Sequence, residues 1–143
     1  MIDNVYPNSQ TETYVEEIYK DNTKLPFDYR FSDLEKTILT RSFKNKGLLI
    51  QALMHKSFCM EYQHRANVNL NPYNVLQFLG NSVLSYFVME FYYQKSSSYP
   101  ELYPPKELHK FKKAVMTDLF QGLITVENGI HNYVLLGTQQ KHK

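Results

Sequence analysis

Between Tyr73 and Gln94, Leu76, Leu79, Val83, Phe87 and Phe91 recur every three or four positions. That is the spacing of one face of an α-helix. Phe78, Leu84, Val88 and Tyr92 widen the apolar coverage. A helix apolar around so much of its circumference is either central to a core or shared with a partner. Gly80 inside it costs about 1 kcal/mol relative to alanine, which fits close backbone packing or a tolerated defect. No alternating strand pattern and no internal repeat is visible, so the expected fold class is all-α.

Further helix signals flank this segment. Ser32 followed by Glu35 has the capping-box spacing, with Leu34, Ile38 and Leu39 as the apolar stripe. Asn45 is positioned to cap a helix carrying Leu48, Leu49, Ala52 and Leu53. Residues 59–72 and 95–105 read as polar loops, and Pro105 suits the first turn of the next helix. That helix carries Leu108, Phe111, Val115, Leu119 and Leu123. A last short element covers 130–136, after a stop at Gly129. Residues 1–30 form an acidic extension punctuated by Pro7 and Pro26, with a short helix over 12–20. Residues 31–137 form the domain, and 138–143 a polar tail.

The 143 residues fit one domain, and a hydrophobic share of 43% with 21% charged residues fits a folded protein. Cys59 is the single cysteine, which excludes an internal disulfide or a cysteine-rich zinc site. No apolar run approaches the ~18 residues of a membrane span, and the first ten residues lack the character of a secretory signal. An intracellular setting is expected, with mitochondrion, nucleus and cytoplasm all open. Charge is unevenly spread: residues 1–43 hold five Lys/Arg and eight Asp/Glu, net −3, and residues 44–143 hold eleven and six, net +5. The basic part is compatible with a nucleic-acid backbone, and equally with charge carried for solubility.

Lys106, Lys110 and Lys113 follow helical spacing, with His109 and Lys112 on neighbouring faces, opposite Leu108, Phe111 and Val115. Such a ridge can meet phosphates with salt-dependent, largely sequence-independent affinity. It fits an ordinary solvated helix face as well. His55 reads as a helix-end histidine bonded to backbone or a nearby side chain. Cys59 with His55 and His64 reads as a buried thiol rather than a metal site. No cofactor is called for. Leu76, Gly80, Val83, Leu84, Tyr86 and Phe87 are the expected interface positions, because broad apolar coverage is hard to hide in a small domain.

Two stretches resemble the ribonuclease III domain family. Residues 45–58, NKGLLIQALMHKSF, are similar to the family's opening signature, a helix ending in a His-x-Ser-Tyr/Phe run. Residues 73–84, YNVLQFLGNSVL, resemble its long-helix motif, a Leu-Glu-Phe-Leu-Gly-Asp run. The lysine-bearing helix and the following GIHNYVLLG look like the next parts of the same fold, so the resemblance covers about residues 31–137. It implies a helical domain that pairs with another of its kind, as a homo- or heterodimer. It also implies contact with double-stranded or structured RNA, cleaved with carboxylate-held Mg²⁺.

Gln77 and Asn81 stand where the motif has glutamate and aspartate. Each keeps a carbonyl oxygen but loses the negative charge that favours Mg²⁺. The family's remaining metal carboxylates lie on a later helix, beyond the matched region. Gln77 and Asn81 are therefore expected to be vestigial metal positions, with no catalytic residue carried over. The expectation is a non-enzyme, a ribonuclease III-like subunit that pairs within an RNA-containing or RNA-processing assembly. One alternative is a structural protein of the mitochondrial large ribosomal subunit. Another is part of an active double-stranded-RNA endoribonuclease whose carboxylates come from a partner or another region.

Overall fold

The computed structural model describes residues 9–20, 29–66, 70 and 72–140. Among these the chain is all-α, with one isolated parallel bridge between Met54 and Leu135 and no strand. The helices are α1 (Ser9–Lys20), α2 (Phe31–Asp33, running into a π-helical turn, Leu34–Ile38), α3 (Lys46–Leu53) and α4 (Lys56–Ala66). They continue with α5 (Asn74–Ser98), α6 (Leu108–Val115) and α7 (Asp118–Glu127). Short 3₁₀ turns cover Pro105–Glu107, Ile130–Tyr133 and Thr138–Gln140. No helix of the described residues is long and apolar enough to cross a membrane.

The chain divides into two compact units, residues 1–74 with 129–143, and residues 75–128. In the first, α1 packs on α3 and buries Val15 and Ile18. Phe31, Leu34, Ile50, Met54 and Leu135 are fully buried in its core. Each such side chain contributes roughly 1.5–3 kcal/mol by leaving water. The returning segment is tied by backbone hydrogen bonds from Leu135 N–H to Leu53 O (2.8 Å) and from His55 N–H to Leu135 O (3.0 Å). Gly129, at φ 69°, turns the chain back in the left-handed region that suits glycine.

Several local expectations need correction. Ser32 does not cap: α2 starts at Phe31 after Arg30, and Glu35 is buried in a tertiary network instead. Asn45 does cap α3, its Oδ1 accepting from Leu48 N–H at 3.2 Å. Most of the expected 59–72 loop is the helix α4. Phe58 stacks on Tyr62 one turn later at 4.3 Å, so the polar composition hid an aromatic face. Asn67, Asn69 and Asn71 lie outside the described residues.

In the second unit, α5 runs four residues beyond Gln94. Pro105 opens a 3₁₀ turn that leads into α6. The single helix expected from Leu108 to Leu123 is two, because Thr117 is extended and caps α7, its side chain accepting from Phe120 N–H. Tyr92 is buried, lies 5.3 Å from the Phe111 ring and 5.6 Å from that of Tyr103, and donates to Pro104 O at 2.7 Å.

Candidate functional site

Helix α5 carries both the motif positions and the expected interface residues. Of its side chains only Val88 and Tyr92 are buried. Gln77 and Asn81 are exposed one turn apart, on the side of the helix on which Val88 and Tyr92 follow eleven residues later. Leu76, Gly80, Val83, Leu84, Tyr86 and Phe87 fall in a stripe beside them. Leu76 and Leu84 are half-buried and Gly80 is exposed. Large apolar groups along α5 face solvent, with Phe78 81%, Tyr86 63%, Leu79 60% and Phe87 57% exposed. A Cβ at Gly80 would meet nothing within 4 Å, so no close packing among the described residues explains that glycine.

The expected basic residues fall on the 3₁₀ turn and on α6, which follow one another directly. Lys106 sits in the 3₁₀ turn, and His109, Lys110, Lys112 and Lys113 on α6. Lys110 pairs with Glu107 at 3.0 Å. His109, Lys112, Lys113 and Met116 line a shallow hollow of about 400 Å³. Lys106 and Lys113 are exposed. The face can present several cations to an anionic polymer, with Lys110 already partly neutralised.

The His-x-Ser run has a structural job. His55 Nδ1 and Ser57 Oγ are 2.8 Å apart, and Ser57 N–H donates to His55 Nδ1 at 3.2 Å. Ser57 Oγ also accepts from Gly137 N–H at 3.0 Å. The dyad joins the end of α3, the start of α4 and the returning segment. Cys59 is buried, and burial pushes its thiol up to about 11. The His64 side chain lies outside the described residues.

The sequence pattern missed one centre altogether. Glu35 is buried, with Lys46 Nζ at 2.7 Å and 2.8 Å from its two oxygens and the Phe43 N–H at 2.5 Å. The Tyr19 hydroxyl donates to the same carboxylate. Burial works to raise the Glu35 pKa, but the bonds from Lys46, Tyr19 and Phe43 outweigh it and hold it below the ordinary value. Lys46 is raised, chiefly by its bond to Glu35. A signal was present in the run of cations that follows Glu35 in the sequence: Lys36, Arg41, Lys44 and Lys46.

Among the described residues, no three His, Cys, Asp or Glu side chains converge as a metal ion would need. Gln77 and Asn81 offer neutral amides on an exposed face. This chain's described residues therefore do not fit a Mg²⁺ pair by themselves.

The all-α architecture and the two motif stretches define a ribonuclease III-like domain. Comparison with known proteins agrees. The chain is 32% identical over 108 residues to Endoribonuclease Dicer homolog 2 of Arabidopsis thaliana, covering 76% of this chain and 7% of that protein. It is 31% identical over 106 residues to Ribonuclease 3 of Rickettsia bellii, covering 74% and 43%. It is 36% identical over 93 residues to Endoribonuclease Dicer homolog 4 of Oryza sativa, covering 65% and 5%. The chain thus spans less than half the length of these relatives. No family model matches it, and no solved structure shows significant similarity.

These relatives correct the expectation of a non-enzyme. They are named as ribonucleases, so the similarity removes the ground for expecting no activity. The physical reason is one of scope. Gln77 and Asn81 remove two anionic oxygens from one helix, which does not bear on carboxylates carried by other residues.

Proposed function

We propose that this chain is a ribonuclease III-like module of a double-stranded-RNA endoribonuclease. It pairs with another ribonuclease III-like domain through the apolar stripe of α5, and α6 contacts the RNA backbone through its lysines. The carboxylates of the cleavage chemistry come from residues other than Gln77 and Asn81, most simply from the paired domain.

The observation that carries this reading is the exposure of Leu79, Val83, Tyr86 and Phe87 along one helix. Contiguous apolar surface rimmed by polar groups marks an interaction site. Pairing through it sets Gln77 and Asn81 at the edge of the seam, where a partner's acidic groups have access. The ribosomal setting has no observation in its favour.

The test is Mg²⁺-dependent cleavage of a long duplex RNA by the native assembly carrying this chain. A matched assembly carries Phe87→Asp. Cleavage by the first and loss of both cleavage and partner by the second is the expected result. Intact RNA with the wild-type assembly would overturn the endoribonuclease reading. Cleavage unaffected by Phe87→Asp would overturn the role of the stripe.

A further inference from the structure

The Glu35 centre forms the floor of a cleft of about 350 Å³ in the first unit. Its walls include Lys36, Thr40, Arg41, Ser42 and Lys46. Among the described residues of its lining Glu35 is the sole carboxylate, and both its oxygens are occupied by Lys46, Tyr19 and the Phe43 amide. Besides Glu35 and Lys46, the charged residues of this lining are Lys36 and Arg41. Both are exposed, and neither side chain has a hydrogen-bond or ion-pair partner among the described residues. Lys46 Nζ also reaches Ser42 Oγ at 3.0 Å, which ties the loop to the buried pair.

A second observation lies in the backbone. Thr40 has φ 50°, the left-handed region, which a β-branched residue rarely adopts. Residues held in such a conformation cluster at ligand clamps, where surrounding structure maintains the strain. Here the strained residue joins the π-helical turn bearing Lys36 to the loop bearing Arg41 and Ser42. A π-helical turn is itself frequent at functional sites.

We propose that this cleft binds a phosphate group, held by Lys36 and Arg41 with the Thr40 and Ser42 hydroxyls as further donors. A tetrahedral oxyanion matches two cations approaching from different elements, and a guanidinium can meet two of its oxygens at once. The Glu35–Lys46 pair fixes the floor without repelling the anion, because the carboxylate is already neutralised. That the phosphate belongs to RNA rests on the function proposed above. The existence of the site does not.

The experiment is ¹⁵N-resolved NMR of the 143-residue protein and of a Lys36→Ala/Arg41→Ala variant, whose changes lie on the surface. Each is titrated with inorganic phosphate, ionic strength being held constant with chloride, and separately with a short RNA duplex. The expected result is saturable movement of the Thr40, Arg41 and Ser42 amides, with a phosphate Kd of about 1 mM that weakens at least tenfold in the variant. RNA is expected to move the same amides at far lower concentration. Its salt dependence should be shallower in the variant by about two phosphate contacts. Movement with phosphate alone upholds the site with a free anion as ligand, and shows the RNA reading to be wrong. Silence of these amides toward both ligands overturns the site, as does equal movement in the variant. RNA shifts confined to α6 with this loop silent would overturn the site while sparing the proposed function.

Discussion

The Gly137 amide donates to Ser57 Oγ at 3.0 Å, and a Cβ at Gly137 would lie 2.8 Å from the Ser57 carbonyl oxygen. The contact spans eighty positions and closes the first unit. It explains why glycine stands there, since the opposing atom is backbone and cannot move aside easily. Gly137→Ala is expected to destabilise the protein by about 1–3 kcal/mol through overpacking. Ser57→Ala removes the Oγ bonds to both Gly137 and His55 and is expected to cost about 1–3 kcal/mol. Urea unfolding followed by circular dichroism measures both. A Gly137→Ala midpoint equal to wild type would show that the returning segment is not held this closely.

Glu35 sets a pH dependence. Its folded pKa lies below the ordinary 4.5, so its stabilisation is fully present above that value and is lost as pH falls through the folded pKa. Glu35→Gln is expected to lower stability at neutral pH by about 2 kcal/mol, because charge-assisted bonds are replaced by weaker ones. The difference between variant and wild type should shrink as pH falls below 4.5 and through the lowered folded pKa. Unfolding midpoints measured across that range test it. A difference that stays constant with pH would show that the carboxylate charge is not what matters.

The exposed apolar residues of α5 predict self-association or partner capture. Phe87→Asp is expected to reduce the apparent mass in light scattering or sedimentation toward that of one chain, without loss of helicity. Phe87 is largely exposed, so its replacement leaves no cavity. An unchanged mass distribution would exclude the stripe as the contact.

The lysines of the 3₁₀ turn and α6 predict a salt effect. Changing Lys106 and Lys113, both exposed, to alanine is expected to weaken duplex-RNA binding roughly uniformly across sequences. The slope of affinity against salt should fall by about one contact per lysine removed. Lys110→Ala is expected to have a smaller effect, because Glu107 already holds that ammonium. Equal effects at all three positions would argue against the pairing.

Cys59 is expected to resist alkylation. With its thiol at about 11, little thiolate exists near pH 8. Iodoacetamide should react roughly a hundredfold more slowly with the folded protein than with the urea-unfolded chain. Similar rates would mean that the core around Phe58 and Cys59 opens readily.

Periodicity and caps made the helical class, the existence of a long α5 and the start of α3 legible in the residue order, but not the last turn of α5. Those are local properties: Asn45 reaches its own helix, and Leu76, Leu79 and Val83 fall on neighbouring turns whatever lies outside. The motif stretches likewise carried the family resemblance, since side-chain identity and spacing need no tertiary information. Other features depend on residues far apart in the chain. Glu35 has the spacing of a capping glutamate, and only the fold brings Lys46, Tyr19 and the Phe43 amide to its carboxylate. Thr40 takes a left-handed conformation that no local preference favours, and Gly137 is needed because Ser57 lies against it. Whether the apolar face of α5 is buried was also decided in three dimensions, because burial depends on what packs nearby and not on hydrophobicity alone. The spacing of Gln77 and Asn81 could be read from the chain. Which groups lie beside them in space could not, because a neighbour in space need not be a neighbour in sequence.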